Sequence, residues 1–248
     1  MNENELKIKR YCELSTRAFE RGYTTYTNFL NADEAALLFG NREKLKTGFV
    51  LNGGYENAER CVACFCEKGE DFPPIICIKI EPVQQKFADS LSHRDFLGSL
   101  MNLGIEREML GDILIKDNTG YLFCLDKISD YIISELDRIK HTSVKCTICT
   151  QIPEFINELP DEEEYIVSSL RVDVVTASVF KISRNAVSQL VNQGNVFINS
   201  RTIYKDAVLL KLDDVVSVRG YGKFIYSRSI NETRKHKIII GIRLYKQL

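Results

Sequence analysis

The sequence predicts an α+β protein made of consecutive small domains, and three observations lead to this expectation. Helical periodicities and short β-rich runs are interspersed along the 248 residues. An acidic, proline-containing segment, 153–166, divides the chain. The charge also changes sign: residues 171–248 carry fourteen Lys and Arg against five Asp and Glu, whereas residues 1–170 carry nineteen against twenty-nine. Such a basic end on an acidic body indicates a part that meets a polyanion.

The composition is that of an ordinary globular protein, with 27% charged and 44% hydrophobic residues. The longest apolar runs, such as Ile75–Ile78, have the length of a strand rather than of a membrane span. The first ten residues are polar and charged and lack the apolar core of a signal peptide. We therefore expect a cytoplasmic protein that does not contact a membrane.

The N-terminal part is predicted to contain two helices and a strand. Apolar residues recur at near-helical spacing from Leu6 to Ala18, and a second helix is expected to start at Asp33, a good N-cap residue. Thr47–Gly54 is expected to be a loop, because it ends in two glycines. A strand is expected over Cys61–Cys66.

The middle part shows six elements in the order β-α-β-β-α-β. We expect them at Ile75–Ile80, Arg94–Leu103, Asp112–Lys116, Tyr121–Leu125, Ile128–Ile139 and Val144–Thr150. This order is ferredoxin-like and is shared by RRM domains. Tyr121 and Phe123 lie on one face of their strand and faintly match an RRM signature, but the flanking basic residues are missing. A role as core aromatics is favoured over an RNA-stacking platform.

Two pairs of cysteines have the C-x-x-C spacing that raises the question of a zinc site, Cys61/Cys64 and Cys146/Cys149. Each pair lies in a strand-like run, where residues three apart point to opposite faces. We therefore expect buried thiols in a reducing compartment, and neither a metal nor another cofactor.

The basic C-terminal part is predicted to pack two short helices on a small sheet. The helices are Ser168–Phe180 and Arg184–Gln193, the second with Ser183 as N-cap and Gly194 as stop. The expected strands are Asn195–Ile198, Arg201–Tyr204 and Val215–Arg219.

The start of the second helix is the candidate site, because free backbone N–H groups and the helix dipole favour a phosphate there. Arg184 can hold a phosphate in bidentate fashion, and Asn185 and Gln189 can reach sugars or base edges. The full set of predicted RNA-binding residues is Arg171, Lys181, Ser183, Arg184, Asn185, Ser188, Gln189, Asn199, Arg201, Lys205, Arg219 and Lys223.

This C-terminal part resembles the S-four RNA-binding domain, also called the alpha-L motif. The resemblance rests on Ile182–Ala186, Val187–Val191, Gly194–Asn199 and Leu212–Val218. The sequence departs from the pattern at Ser200, where the family usually has Gly. The resemblance implies that this part binds structured RNA.

Three further segments are similar to the YlmH family, so that the likeness runs nearly end to end: Gly53–Arg60, His93–Ile105 and Gly111–Ile113. The resemblance implies an N-terminal domain (1–72), an RRM-like domain (73–152), a linker (153–166) and an S-four domain (167–248). It also implies a bacterial ribosome-associated protein that helps to rescue stalled large subunits holding peptidyl-tRNA, with a link to cell division.

The favoured function is thus a non-catalytic, monomeric RNA-binding protein whose partners are rRNA, tRNA and the large ribosomal subunit. The alternative is an RNA-modifying enzyme, of the pseudouridine synthase or rRNA methyltransferase type. It is disfavoured because the Arg-Leu-Asp lookalike, Leu170–Asp173, lies inside the S-four part, and Gly53-Gly54 is too sparse for a cofactor loop. No G-x-x-x-x-G-K-[ST] motif is present either.

Overall fold

The structure, a computed structural model, describes residues 2–56, 58–66, 73–156, 158–199, 201–232 and 237–245. The chain divides into two compact units, 1–157 and 158–247. Both contain helices together with antiparallel sheets, which confirms the predicted α+β class. The boundaries of the individual domains stay a prediction.

The first unit begins with two helices and a three-stranded sheet. The elements are α1 (Glu3–Arg21), β1 (Thr25–Leu30), α2 (Ala32–Gly40), β2 (Phe49–Asn52) and β3 (Cys61–Phe65). The sheet order is β1-β3-β2. Asn31, rather than Asp33, caps α2, since its side chain accepts a hydrogen bond from the backbone N–H of Glu34. Strand β1 was missed, and β2 lies in the segment predicted to be a loop, because both are short and pair with the central strand β3.

The same unit continues into a five-stranded sheet with two helices. Its elements are β4 (Ile75–Pro82), α3 (His93–Asn102), β5 (Leu110–Lys116), β6 (Thr119–Leu125), α4 (Ser129–Glu135), β7 (Arg138–Ile139) and β8 (Thr142–Ile148). The sheet order is β5-β6-β4-β8-β7. Asp117 and Asn118 both have positive φ, as a two-residue hairpin turn requires. The predicted helix Ile128–Ile139 is too long: it ends at Glu135, and buried Ile139 instead pairs with Thr142 in a hairpin.

These elements form four layers, two of helices outside two sheets. On β6, Leu122 and Cys124 pack with the α3 and α4 side chains, whereas Phe123 and Leu125 on the opposite face pack against Phe29 and strand β3. Phe123 is 1% exposed, and its ring centroid lies 4.9 Å from that of Tyr55. Phe123 is therefore a core residue, because the N-terminal sheet covers the face on which an RRM stacks bases.

Close packing across β6 makes Gly120 sensitive to substitution. A Cβ at this position would lie 2.5 Å from the ring of Phe96, which is fully buried. We expect Gly120→Ala to lower the free energy of unfolding by about 1–3 kcal/mol, since the ring cannot move without displacing other core atoms. Gly98→Ala is the matched control, because Gly98 lies in α3 with no atom within 4 Å of the new methyl group. Equal melting temperatures for the two variants would contradict this account.

The predicted burial of the cysteine pairs holds for Cys64 and Cys146, whereas Cys61 and Cys149 are half-buried. Cys61 and Cys64 belong to β3, and Cys146 belongs to β8, with Cys149 just beyond its end. Burial raises the pKa of Cys146 to about 11, so that its thiol stays protonated. Among the described residues, no group of three or more His, Cys, Asp or Glu could hold a metal ion.

The second unit is a six-stranded antiparallel sheet with two helices on one face. Its elements are β9 (Glu162–Val167), α5 (Val172–Phe180), α6 (Arg184–Asn192), β10 (Val196–Ile198), β11 (Arg201–Thr202), β12 (Val215–Val218), β13 (Gly222–Glu232) and β14 (Ile238–Tyr245). The sheet order is β11-β10-β12-β13-β14-β9. The two longest strands, β13 and β14, were missed. Helix α5 begins at Val172 rather than Ser168, because Arg171 has an extended backbone.

The acidic segment is not a free spacer over its whole length. Its last residues, Glu162–Val167, form β9 and pair with β14. Glu162 forms an ion pair with Arg228 and accepts a hydrogen bond from Ser227 at 2.6 Å. These contacts correct the prediction that residues 153–166 are a solvated linker, since an acidic edge strand is stabilised by basic neighbours. Among the helices of the described residues, none is long and apolar enough to span a membrane.

Candidate nucleic-acid interface

The candidate interface is built on the corner between α5 and α6. Helix α5 ends at Phe180, and Lys181 takes the left-handed conformation (φ +53°) while its N–H donates to the carbonyl of Ala177. The chain then turns sharply into α6, whose N-cap is Ser183, as predicted. The Ser183 hydroxyl accepts from the N–H of Ala186 at 3.1 Å. Valines on both helices face the core, so the corner holds the start of α6 in a fixed position.

A buried carboxylate lies at this corner. Asp173, in the first turn of α5, is 1% exposed. Its Oδ1 accepts from Nε of Arg171 at 2.9 Å, and its Oδ2 accepts from Nη2 of Arg184 at 2.6 Å. Arg171 also approaches Asp206 at 3.5 Å, and the Ser188 hydroxyl donates to Asp206 at 2.7 Å. The two arginines are thus held by carboxylates and are not freely rotating charges.

The electrostatics of Asp173 follow from these contacts. Burial alone would raise the pKa of Asp173, but the hydrogen bonds from Arg171 and Arg184 outweigh burial and lower it. The carboxylate is therefore ionised at neutral pH and neutralises about one of the two guanidinium charges. The Arg184 side chain remains 57% exposed, so it can contact solvent or a ligand while it is held.

Four predicted residues present free polar groups around this corner. Lys181, Asn185, Gln189 and Lys205 are exposed, and within the described ranges their side chains have no hydrogen-bonding or ionic partner. Asn185 and Gln189 are one helical turn apart on α6 and share a face. Cations and amides of this kind contact phosphates and base edges, and the RNA-binding role of these four residues stays a prediction.

Two other predicted residues have structural roles. Asn199 has a positive φ of +49°; its amide donates to Asp214 at 2.8 Å and accepts from the N–H of Val215 at 2.9 Å. It therefore holds the turn that follows β10, and Ser188 is bonded to Asp206 as described above. Ser200 and the side chain of Arg201 lie outside the described residues.

The last two predicted residues lie elsewhere on the sheet. Lys223 lies on β13 and directly precedes buried Phe224. Its Nζ lies 4.4 Å from the ring centroid of Tyr245. Because the helices pack on the Phe224 face, Lys223 lies on the opposite face and is not part of the α5–α6 corner. Arg219 follows β12 and is exposed, and its backbone N–H donates to Asn195.

Sequence reasoning missed the acidic members of the site, Asp173 and Asp206. Asp173 was noted only as part of an enzyme lookalike, Leu170–Asp173. The available signal was a single carboxylate in an otherwise apolar helix, since such a group needs a cationic partner when it is buried. Tyr204 is 71% exposed beside Lys205 and adds a stacking surface to the same region.

The charge of the second unit is smaller than the sequence split suggested. Residues 158–247 carry fourteen Lys and Arg against ten Asp and Glu, because the acidic run belongs to this unit. Residues 1–157 carry nineteen against twenty-four. A basic α5–α6 corner on a nearly balanced unit favours a localised contact with a polyanion over a diffuse one.

The comparisons with known proteins agree with the sequence resemblance. The family model described as "Putative RNA-binding domain in YlmH" matches residues 68–151. The "Ribosome-associated protein quality control protein P2" of Bacillus subtilis (strain 168) is 28% identical over 223 residues, which cover 85% of this chain and 83% of the relative. The family model and this relative confirm the resemblance predicted from the sequence.

Among solved structures, the chain is similar to "Cell division protein ylmH from Streptococcus pneumoniae". The sequence identity is 19% and the TM-score is 0.48. The match covers 60% of this chain and 92% of that chain.

Proposed function

We propose, on the premise of the confirmed resemblance to the YlmH family, that this protein is a non-catalytic RNA-binding protein that acts on the ribosome. Its relative carries a ribosome-associated quality-control name, and its residues 68–151 match a domain described as RNA-binding. The observation that carries the proposal is the α5–α6 corner, where Arg184 is held on Asp173 beside exposed Lys181, Asn185 and Gln189.

The finer assignments belong to the same proposal. The first unit's order β4-α3-β5-β6-α4-β8 supports an RRM-like middle domain, and the helix pair followed by β10 supports an S-four domain. The RNA is rRNA of the large subunit, peptidyl-tRNA, or both, in the rescue of stalled subunits. The protein acts as a monomer in the cytoplasm, and the cell-division link implied by the resemblance is part of the same proposal.

The contacts of Asp173 support a non-catalytic function over the enzyme alternative. In an enzyme of the pseudouridine synthase type, this aspartate would have to reach the reacting base. Here it is 1% exposed, and both carboxylate oxygens accept hydrogen bonds from arginines. A complete map of rRNA and tRNA modifications in a deletion strain tests the point: a missing modification would favour the enzyme.

The test of RNA binding uses Lys181 and Lys205, since both are exposed and neither stabilises the fold through a described contact. We expect the Lys181→Glu, Lys205→Glu variant to bind large subunits at least about tenfold more weakly, because two phosphate contacts become repulsive. The measurement is co-sedimentation with purified large subunits at increasing salt, and the salt slope should become shallower by about one unit per lost contact.

The matched control is the Lys9→Glu, Lys46→Glu variant, which reverses two charges at exposed lysines of the first unit outside residues 68–151. It should co-sediment like the wild type. Unchanged co-sedimentation of the double variant would reject the α5–α6 corner as the interface.

A further inference from the structure

The loop between β4 and α3 displays an aromatic ring to solvent. Phe87 is 78% exposed, and Val83 at the start of the same loop is 61% exposed. Apart from Phe87, the aromatic residue most exposed in the described part of 73–156 is Tyr131 (48%), whose hydroxyl donates to the carbonyl of Leu103. Single exposed apolar residues are common on protein surfaces, so the exposure of Phe87 gains meaning only from the groups that surround it.

The loop is held rigidly, which makes the exposure a fixed property of the fold. The Val83 N–H donates to the carbonyl of Ser143 at 2.9 Å. Asp89 accepts through Oδ2 from the N–H of His141, and its own N–H donates to the Thr142 hydroxyl at 2.8 Å. The Asn118 amide, in the β5–β6 turn, holds the C-terminal end of this loop: it donates to the carbonyl of Asp89 and accepts from the N–H of Leu91. A ligand would therefore meet a preorganised surface and cause little loss of loop entropy.

The polar groups around the ring match a nucleotide. Gln84, Gln85 and Lys86 are exposed in the same turn, and the Lys86 ammonium lies 5.9 Å from the Phe87 ring centroid. Of the nearby carboxylates, Asp95 is paired with Lys140 at 2.6 Å and Asp117 is exposed. An aromatic ring stacks on any base, amides reach base edges, and a lysine contacts the phosphate. A docked protein would need a contiguous apolar patch, which one ring and one valine among polar residues do not provide.

The face of the five-stranded sheet that an RRM uses for bases is unavailable, because Phe123 is covered by the N-terminal sheet and by Tyr55. RNA contact by this domain must therefore use another surface. We infer that the Val83–Phe87 loop binds an unpaired base of RNA, with Phe87 as the stacking ring, Lys86 on the adjacent phosphate, and Gln84 on the base edge. Gln85 is not assigned to the base, because its Nε2 donates to the carbonyl of Asp117 at 3.3 Å. The inference rests on the proposed function and adds a second RNA contact to it.

The test is the affinity of the full-length protein for labelled RNA probes in fluorescence anisotropy. The probes are a single strand of about ten nucleotides, within the usual site size of such surfaces, and the blunt-ended duplex of the same strand with its complement. Phe87→Ala should weaken single-strand binding on the order of tenfold and leave duplex binding unchanged. Phe87→Trp should restore it, because a larger ring stacks equally well. Phe19→Ala is the matched control, because it removes an exposed phenylalanine (53%) of α1 outside this loop, and it should bind like the wild type.

Three outcomes would overturn the inference: wild-type affinity of Phe87→Ala for the single strand, an equal loss on both probes, or no single-strand binding by the wild type. If Phe87→Ala instead loses large-subunit association while it keeps its RNA affinity, the loop docks a protein and the inference is wrong. The proposed function is scored separately by the Lys181 and Lys205 charge reversals, so that either can fail alone.

Discussion

Replacing both arginines that contact Asp173 will make the second unit less stable. We expect the Arg171→Ala, Arg184→Ala variant to lose about 3 kcal/mol of unfolding free energy. The reason is that the Asp173 carboxylate is 1% exposed and would lose both hydrogen-bonding cations. This loss lies at the lower end of the range of about 3–5 kcal/mol for breaking a buried ion pair. The reason is that the side chains of Arg171 and Arg184 are themselves 36% and 57% exposed. Chemical denaturation followed by circular dichroism measures the loss.

A third substitution separates this explanation from a general loss of packing. Asp173→Asn in the double variant removes the unpaired charge, and most of the lost stability should return. If the triple variant is as unstable as the double variant, the arginines stabilise the unit through their side-chain packing and not through Asp173. Because Arg184 contributes to the stability of the second unit, Arg184→Ala is a poor probe of RNA binding: it would change the fold and the interface together.

The pH dependence of this pair has a defined sign. The arginines lower the pKa of Asp173 in the folded state below its ordinary value of about 3.9. Stability from this contact is therefore fully present above pH ~4 and is lost as the pH falls through the lowered pKa. In the triple variant, the part of the acid-induced loss that is due to Asp173 should be missing.

The second large effect is expected at Asp112 in the first unit. Its Oδ2 accepts from the Tyr55 hydroxyl at 2.8 Å and from the N–H of Glu59 at 2.6 Å, and the N–H of Arg60 approaches Oδ1 at 3.3 Å. Arg60 in turn donates to the carbonyls of Leu110 and Phe29. Asp112 therefore anchors Tyr55, Glu59 and Arg60 to strand β5. These contacts join two of the three YlmH-like segments, Gly53–Arg60 and Gly111–Ile113.

We expect Asp112→Ala to lower the free energy of unfolding by about 2 kcal/mol, because it leaves the part-buried Tyr55 hydroxyl and the N–H groups of Glu59 and Arg60 without this acceptor. Asp112→Asn is the matched control and should lose much less, since an amide oxygen can still accept. Thermal unfolding of both variants measures the difference. Equal losses would show that the contacts of Tyr55 and the loop backbone contribute nothing to stability.

Asp112 also gives the opposite pH dependence to Asp173. Burial, and then the nearby charge of Glu59, raise the pKa of Asp112. The folded state therefore holds the proton more tightly than the unfolded state, and stability falls as the pH rises from about 4 through the raised pKa. Asp112→Asn should remove this fall, which a pH series of melting temperatures can detect.

The predictions from the sequence were most accurate where a pattern is local. The N-cap Ser183 and the stop of α6 at Gly194 depend on neighbouring residues, and both were correct. The errors came from long-range pairing. Strand β1 has no strong alternation of its own and exists because it pairs with β3, and Ile139 leaves the predicted helix because its buried position lies in a hairpin with Thr142.

The candidate site divides in the same way. The residue types at the start of α6 indicated a phosphate site, because helix capping and charge are readable along the chain. The partner of each charge was not readable. Arg184 is eleven residues from Asp173, and Glu162 is sixty-six from Arg228, so only the folded chain shows that these charges are paired.

By itself, the sequence determined the α+β class, the basic C-terminal part, the capped helix at its corner and the resemblance to the YlmH family. The tertiary structure decided which charges are free. It ties Arg171 and Arg184 to Asp173, gives the acidic run to the C-terminal sheet, and covers Phe123 while leaving Phe87 exposed. The physical reason is that local propensity follows from neighbours in the chain, whereas burial and ion pairing depend on residues that only folding brings together.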